Sequence, residues 1–392
     1  MLRVLYLVHD LSDPAVSRRV TMLETGGANV TLAGFRRGPV PEDLGPSAPI
    51  ELGRTMDGRF VQRLAAVASA AWSLRGKLRH AARPDIIIGR NLEMLALANR
   101  ARTLFGADIP VVYECLDIHR LLLRPGAMGK AMRGAERLFS RDTALLITSS
   151  PAYVREYFAR FGQIAAPVAL LHNKVLELET RPAAVSTPAP PPLDGEPWRI
   201  GWFGALRCRK SLALLGAFTR LSAGRFEVVL RGRPAYREFE NFGDVVAAEP
   251  HIRFGGSYRN PGDLAAIYGE VHFCWAIDFF EEGLNSSWLL PNRLYEGCRH
   301  GAVPIAMRRT ETGRFLADRK LGLLLDEPSV AGLTAAFAGM NADTHRALGR
   351  QIAAQDAAIW VTGVDDCRAL VERLGNLAAP RRKGDVFTEA AA

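Results

Sequence analysis

Short apolar runs alternate with helical segments along this chain, and the alternation restricts it to an α/β fold. The first three segments are VLYLVHD at 4–10, VSRRVTMLETGG at 16–27 and NVTLAGF at 29–35. Their patterns predict a buried strand, a helix that ends at paired glycines, and a second strand. Parallel strands need a crossover connection of this kind. The opening therefore predicts the start of a parallel sheet.

The alternation runs through the first half and then starts again. In the first half, helices are expected over about 59–80, 91–106, 128–141 and 151–162, and strands over 84–89, 110–117, 144–150 and 168–173. In the second half, strands are expected over 199–204, 226–232, 251–256, 272–277, 302–307 and 321–325, and helices over 211–221, 261–271, 292–301 and about 342–377. Each half predicts a doubly wound, Rossmann-like sheet.

A proline-rich stretch, TRPAAVSTPAPPPLDGEP at 180–197, separates the two series. Proline stiffens such a segment into an extended spacer, so we interpret it as an interdomain linker. The length of 392 residues also suits two domains. The expected division is a first domain over 1–178, the linker over 179–197, a second domain over 198–362, a terminal helix over 363–378 and a frayed tail over 379–392.

Composition excludes several classes of protein. Apolar residues make up 48% of the chain and charged residues 23%, which is a globular balance. No uncharged apolar run reaches the length of about 18 residues that a membrane span needs. The start MLRVLYLVHD lacks the pattern of a signal peptide, so a cytoplasmic protein is expected. Five scattered cysteines without a C-x-x-C pair or nearby histidines predict free thiols and no metal site.

Positive charge concentrates in the first half of the chain. Residues 1–180 hold 24 Lys and Arg against 17 Asp and Glu, a difference of +7 out of the net +9. Basic residues also flank the apolar positions of two helical stretches, 59–80 and 120–141. Such a surface suits an anionic membrane, although an ordinary core face with a solvated back fits the same pattern. No basic motif interleaved with aromatic residues occurs, so nucleic acid is not an expected partner.

Two strand ends in the second half carry residues suited to a nucleotide. The segment GWFGALRCRKSL places Gly204 beside Arg207 and Lys210 just before a helix, where a diphosphate would meet both cations. In LLPNRLYEGCRHGAVPIA, a helix begins at Pro291 and Asn292, and Glu296 falls near its first turn. A carboxylate there can accept the two hydroxyls of a ribose while phosphates rest on the helix N–H groups.

These segments resemble the family-4 retaining glycosyltransferases of the GT-B fold, among them bacterial exopolysaccharide enzymes of the succinoglycan type. PNRLYEGCRHGAVPIA is similar to their nucleotide-binding form P-x-K-x-x-E-x-x-A-x-G-x-P-V-I, and GWFGALRCRKSL is similar to their G-x-L-x-x-x-K-G loop. The segment VALLHN, which ends at Asn173, is similar to the strand before their interdomain crossing. The resemblance covers nearly the whole chain. It implies a metal-independent hexosyltransferase with two Rossmann-like domains and a last helix that crosses back to the first.

The resemblance also implies roles for particular residues. Gly204, Arg207, Lys210 and Arg293 would bind the donor diphosphate, and Glu296 the ribose. Asp117 and His119, in YECLDIHR after a first-domain strand, would be catalytic. His9, Asp10, Asn173 and Asn292 would line the cleft between donor and acceptor. No cofactor is expected beyond the donor, a nucleoside diphosphate sugar such as UDP-glucose, and the implied acceptor is a lipid-linked glycan.

The chain departs from the family pattern in one segment, and two other functions stay open. The first Glu of the E-x7-E signature would fall at Trp288, and DFFEEGLNSSW replaces that part of the motif. A nucleotide-sugar 2-epimerase shares the architecture and would need acidic groups beside the sugar C2 for proton transfer. A non-catalytic sugar-binding or nucleotide-binding relative is the second alternative.

Overall fold

Two parallel sheets face each other in the computed structural model, which describes residues 1–39, 48–55, 60–179 and 188–379. The strands of the first sheet are β1 (Leu2–Val8), β2 (Ala28–Arg36), β3 (Ile50–Arg54), β4 (Ile86–Arg90), β5 (Val111–Glu114), β6 (Thr143–Thr148) and β7 (Val168–Leu170). They lie in the order β3-β2-β1-β4-β5-β6-β7, and every neighbouring pair is parallel. The order reverses between β1 and β4.

Helices cover both faces of the first sheet. They are α1 (Pro14–Thr25), α2 (Phe60–Lys77), α3 (Leu92–Phe105), α4 (Arg120–Leu123), α5 (Ala127–Ser140) and α6 (Pro151–Tyr153), which continues as a π-helical turn over Val154–Ala159. The apolar sides of α2 and α3 bury Leu74 and Leu95 against one face of the sheet. On the opposite face, α1 buries Val16 and Val20.

The second sheet repeats the plan. Its strands are β9 (Trp198–Leu206), β10 (Phe226–Pro234), β11 (Ile252–Phe254), β12 (Phe273–Trp275), β13 (Val303–Met307) and β14 (Leu323–Leu325), in the order β11-β10-β9-β12-β13-β14. Here the order reverses between β9 and β12. The helices are α7 (Arg209–Leu221), α8 (Phe242–Ala247), α9 (Leu264–Gly269), α10 (Asn285–Trp288), α11 (Asn292–Arg299), α12 (Glu311–Asp318), α13 (Val330–Phe337), α14 (Ala342–Ala353) and α15 (Val364–Ala378).

The polypeptide crosses between the domains twice, and the crossings are joined. The strand β8 (Val175–Leu176) pairs with β15 (Val361–Thr362) in a short two-stranded parallel sheet. After this second crossing, α15 packs on α1, where it buries Cys367, Leu370 and Leu374 in the core of the first domain. The predicted fold class, with two Rossmann-like domains and a terminal helix that returns to the first, is confirmed.

Several elements were not expected from the sequence. The edge strand β3 buries only Leu52 among its five residues and shows no apolar run. Glycines inside α12 and α13 weaken the helical pattern, although Thr310 and Ser329 cap these helices with their hydroxyl groups and are recognisable N-cap residues. The expected helical region over about 342–377 contains the two helices α14 and α15, with β15 between them. Most of the linker, 180–187, and most of the tail lie outside the described residues.

We expect the contact between α15 and the first domain to contribute substantially to stability. Leu374 is fully buried, so Leu374→Ala should lower the free energy of unfolding by about 2–5 kcal/mol through lost burial and the cavity left behind. Urea denaturation followed by circular dichroism measures the change. Glu372→Ala, at an exposed position of the same helix, is the control and should stay within about 0.5 kcal/mol of wild type. Equal effects of the two substitutions would contradict a structural role for this contact.

Candidate active site in the interdomain cleft

A cavity of about 360 Å³ lies between the domains, where the carboxyl ends of both sheets meet. Residues after β5, β6 and β7 form its first-domain wall, and residues after β9 and β12 together with the start of α11 form its second-domain wall. Parallel sheets bind ligands at such ends, next to the point where the strand order reverses. The second-domain wall meets this condition, because β9 and β12 flank the reversal of the second sheet.

Two arginines and one aspartate form a cluster of ion pairs on the second-domain wall. The carboxylate of Asp278 lies 3.3 Å from the guanidinium of Arg207 and 3.8 Å from that of Arg293. Although burial opposes ionisation, the two arginines hold the pKa of Asp278 below its ordinary value. Arg293 donates to the carbonyl of Ile277, while its buried Nε has no hydrogen-bond partner among the described residues. Asp278 is thus shared by two guanidinium groups, and an anion can take up donors that remain on them.

The amino end of α11 faces the same cavity. Pro291, Asn292 and Arg293 all line it, and no side chain caps the first turn of this helix. The first N–H groups of a helix lack partners within the helix and carry partial positive charge, so they favour a phosphate. The start of α11 therefore adds to the positive charge of the two arginines.

The carboxylate of Glu296 lies one turn into α11 and is 5% exposed. It accepts hydrogen bonds from the amide of Asn260 at 2.8 Å and from the hydroxyl of Tyr268 at 3.1 Å. Burial raises the pKa of Glu296 above its ordinary value, and these two hydrogen bonds oppose the rise. A carboxylate has about four acceptor positions, so two further hydroxyl groups can be accommodated.

Gly204 brings backbone to the cavity wall at the end of β9. Its φ of 105° lies in a region that residues with a side chain rarely adopt. A Cβ atom at the neighbouring Gly232, on β10, would come within 1.9 Å of the carbonyl oxygen of Gly204. Both glycines are therefore needed for this close backbone geometry.

Asp117 faces the cavity from the loop after β5. Its side chain is accessible to solvent in the cleft, yet enough protein surrounds it that desolvation raises its pKa to about 6. The nearby carboxylates of Glu281 and Asp278 add to the rise, while Arg207 opposes it. Asp117 also lines a second, smaller cavity of about 80 Å³ in the first domain, so it lies where the two cavities meet.

His119 lines this smaller cavity and also stabilises the local backbone. Its Nδ1 accepts the backbone N–H of Leu121 at 3.3 Å and so caps α4, and its Nε2 lies 3.2 Å from the guanidinium of Arg63. Burial and the charge of Arg63 lower the pKa of His119, so the ring is neutral at pH 7. The cap on α4 leaves His119 at the cavity wall, so its structural role is compatible with a role in the site.

The other predicted site residues differ in their positions. Asn173 and Asn292 line the larger cavity, and Asn173 donates to the carbonyl of Leu290 across the domains at 3.2 Å. His9 lines the smaller cavity, where burial lowers its pKa to about 4. Asp10 instead accepts from the backbone and hydroxyl of Ser12 in a local turn.

Lys210 is not at the wall of the cavity in this structure. Its ammonium group pairs with Glu282 at 2.6 Å and lies 4.5 Å from the centre of the Phe279 ring. A role in diphosphate binding requires that this exposed ion pair separate, and the role stays a prediction. Exposed pairs of this kind contribute about 1 kcal/mol or less, so their rearrangement is inexpensive.

Several residues of the cleft were not identified from the sequence. They are Tyr258, Asn260, Asp278, Phe280, Glu281, Asn285 and Ser286. Most belong to the segment that replaces part of the family signature, and its position directly after β12 was the signal that could have located them. Tyr258 and Asn260 precede α9 in a loop without a comparable motif.

Comparison with known proteins decides the family. Residues 14–174 match the model of a glycosyl transferase 4-like domain. The chain is 56% identical over 379 residues to the succinoglycan biosynthesis protein ExoL of Rhizobium meliloti, covering 96% of this chain and 94% of that protein. The chain belongs to this glycosyltransferase family. The resemblance found in the sequence is thus confirmed, and the protein is a glycosyltransferase.

Solved structures of the same fold extend over the whole chain. Sucrose-phosphate synthase from Thermosynechococcus elongatus is 14% identical, covers 96% of this chain and 98% of its own, and has a TM-score of 0.69. HepE from Anabaena, in complex with UDP, is 14% identical, covers 96% of this chain and 100% of its own, and has a TM-score of 0.65. At these identities the likeness shows a shared GT-B fold.

Neither a cluster of metal-binding side chains nor a membrane-spanning helix occurs among the described residues. No group of three or more His, Cys, Asp or Glu side chains is arranged to hold a metal ion within 1–39, 48–55, 60–179 and 188–379. In the same ranges, none of the helices has both the length and the apolar character that crossing a membrane requires.

The raised pKa of Asp117 predicts a pH dependence of stability. The folded state binds the proton more tightly than the unfolded chain, whose Asp pKa is about 3.9, so this residue destabilises the fold as pH rises from about 4 to 6. Asp117→Asn should remove that contribution. The melting temperature of the variant minus that of the wild type should therefore become more positive from pH 4 to pH 7, as measured by differential scanning fluorimetry. Asp10→Asn is the control. A melting-temperature difference between Asp117→Asn and the wild type that stays constant over this pH range would contradict the raised pKa of Asp117.

Proposed function

We propose that this glycosyltransferase transfers a hexosyl group, with retention of configuration, from a UDP-sugar to a lipid-linked glycan in exopolysaccharide synthesis at the cytoplasmic face of the membrane. UDP-glucose or a close relative is the proposed donor. The arrangement of Arg207, Arg293 and Glu296 around one cavity is the observation that carries the proposal. The name of ExoL and the complexes of HepE with UDP and with UDP-glucose support it.

The donor fits the second-domain wall in one direction. The diphosphate would lie between the start of α11 and the guanidinium groups of Arg207 and Arg293, and the ribose would reach Glu296. This places the sugar toward Asp117, on the opposite wall. The cations and the helix terminus would then stabilise the charge that develops on the departing diphosphate, which is electrostatic catalysis without a metal.

The acceptor would enter from the first domain. The smaller cavity lies beside the donor site and shares Asp117 with it, and its polar lining includes His9, Asn91 and Glu93. A hydroxyl group placed there would approach the sugar from the side of Asp117 and His119. Carboxylates near the sugar would also stabilise the positive charge of an oxocarbenium-like transition state.

Exposed apolar side chains favour a membrane surface for the first domain. On α2, Trp72 is 91% exposed, and on α5, Leu138 is 68% exposed. The exposed basic residues on or near these helices are Arg75, Lys77, Arg79, Arg124 and Lys130. Apolar side chains surrounded by cations are typical of surfaces that rest on anionic lipid. Arg63 and Arg133 lie on the same two helices but are engaged within the protein, since Arg63 pairs with Glu93 at 3.0 Å and Arg133 donates to the carbonyl of Leu122.

The role of Glu296 gives the first test of this function. Glu296→Gln would weaken hydrogen bonds from the ribose hydroxyls that are worth roughly 1.5–3 kcal/mol each, so affinity for UDP-glucose should fall about tenfold or more. Isothermal titration calorimetry against a panel of nucleotide sugars measures the affinity and identifies the base. Glu227→Gln, near the amino end of β10 and therefore at the far edge of the same sheet, is the matched control. Unchanged affinity in Glu296→Gln would remove this residue from the donor site.

The same preparation distinguishes transfer from epimerisation. Incubation with the donor alone should produce slow hydrolysis and no epimeric sugar, whereas a 2-epimerase would accumulate the epimer. Slow hydrolysis would also argue against a non-catalytic relative.

Membrane association gives the second test. Basic residues near an anionic surface contribute about 1 kcal/mol each, so Arg75→Gln with Arg79→Gln should lower binding to anionic vesicles roughly 30-fold at low salt. Co-sedimentation with vesicles measures the binding, which should weaken in 1 M salt. Arg308→Gln with Arg346→Gln removes the same charge from exposed positions of the second domain and should have little effect. Binding that ignores both lipid charge and salt would contradict the proposed surface.

A further inference from the structure

One side-chain amide of the second domain reaches across the cleft to the first. Asn285 is the first residue of α10 and is 4% exposed. Its Oδ1 accepts the backbone N–H of Ile118 at 3.1 Å, and its Nδ2 donates to the carbonyl of the same residue at 2.5 Å. The amide therefore pairs with both polar backbone groups of one residue, as a neighbouring strand would.

The residue held in this way lies between the two candidate catalytic side chains. Ile118 is fully buried and is flanked by Asp117 and His119. When both polar groups of Ile118 are fixed, the peptide units that join it to its neighbours have little freedom. The direction in which Asp117 enters the cleft then depends on Asn285.

The orientation of the amide is determined by its third partner. Nδ2 also donates to the carboxylate of Glu281 at 2.6 Å, so both of its hydrogens are used. If the amide were reversed, two donors would face each other at the N–H of Ile118, and its oxygen would face two acceptors. Glu281 lines the cleft together with Asp117, so this one amide connects a carboxylate on one wall to the backbone beside Asp117 on the other.

We propose that Asn285 is a positioning residue of the transfer reaction, which holds the Asp117–His119 loop against the donor domain with Asp117 facing Glu281. The inference rests on the proposed function, in which Asp117 and His119 act at the donor sugar. Asn285 itself acts through the loop and does not need to touch the substrate.

Other contacts between the domains lie away from this loop. Arg155 pairs with Glu311 at 2.8 Å, and Arg299 pairs with Glu177 at 2.6 Å. These contacts hold the domains together without reaching the Asp117–His119 loop. They make it possible to separate a positioning role from simple association of the domains.

The neutrality of the amide matters because charged groups surround Asp117. The charged groups that influence the pKa of Asp117 are Arg207, Asp278 and Glu281 of the second domain. In the first domain, Asp117 raises the pKa of the Cys115 thiol and of the Tyr153 hydroxyl, so both stay neutral beside it. Asn285→Asp keeps the size and the acceptor for the N–H of Ile118. It removes both donors and adds a carboxylate beside Glu281.

The test combines activity, donor binding and pH dependence. Asn285→Asp should lower kcat about ten- to a hundredfold through misplacement of the loop, with the Kd for UDP changed less than about twofold. The limb of the kcat–pH profile that reports Asp117 should move about one unit to higher pH, because like charge disfavours ionisation. Glu281→Gln retains an acceptor for the amide and removes a charge, so the same limb should move to lower pH. Opposite shifts are not expected from a general loss of structure.

Arg155→Gln is the control for loss of an interdomain contact, because it removes the ion pair with Glu311 without changing the loop. It should leave the pH limb in place. The positioning role would be overturned if Asn285→Asp kept the wild-type kcat and pH limb, or if Glu281→Gln did not shift that limb. It would also be overturned if Arg155→Gln lowered kcat as much as Asn285→Asp does. If Asn285→Asp does not fold, as judged by circular dichroism, the pH limb of Glu281→Gln alone is the test of the proposal. A wild-type protein that binds UDP but transfers no sugar would instead overturn the proposed function, and the positioning role with it.

Discussion

A single buried carboxylate connects the elements on which the candidate site depends. Glu114, the last residue of β5, is fully buried and accepts hydrogen bonds from Arg19 of α1 at 2.6 Å, from Arg90 of β4 at 3.2 Å and from the hydroxyl of Tyr6 in β1. Although burial opposes ionisation, the two arginines hold the pKa of Glu114 below its ordinary value. If one of these charged side chains were removed, the remaining charged side chains would stay buried without compensation. Asp117 follows three residues later, on a loop that leaves from the strand end fixed in this way.

The cleft itself contains more acid than base, and this shapes how it can bind a diphosphate. Four carboxyl groups line it, those of Asp117, Asp278, Glu281 and Glu296, against the guanidinium groups of Arg207 and Arg293. A diphosphate would therefore compete with Asp278 for both arginines. Its charge would also favour protonation of Asp117 and Glu296, whose pKa values are already raised. Donor binding and proton uptake are thus coupled in this arrangement.

The sequence predicted the elements with clear periodicity and the residues with a family motif, and little else. The alternation identified both sheets, and the segment around Asn292 and Glu296 led to one wall of the cleft. The edge strand β3 and the glycine-containing helices α12 and α13 were not predicted, because tertiary contacts, and not a local sequence pattern, stabilise them. Asn285 was not identified from the sequence for a different reason. Its importance comes from the backbone of Ile118, which is 167 positions away in the sequence and has no side-chain pattern to recognise.

The return of α15 to the first domain has a consequence for how the protein is made. Ribosomes deliver the first domain early, but the apolar face of α1 stays uncovered until Leu370 and Leu374 have been synthesised. Part of the core of the nascent first domain therefore stays exposed until the entire second domain has been synthesised. A message that ends before α15 would produce a nearly complete second domain beside a first domain whose core is partly uncovered, and such a product is prone to aggregation or chaperone binding.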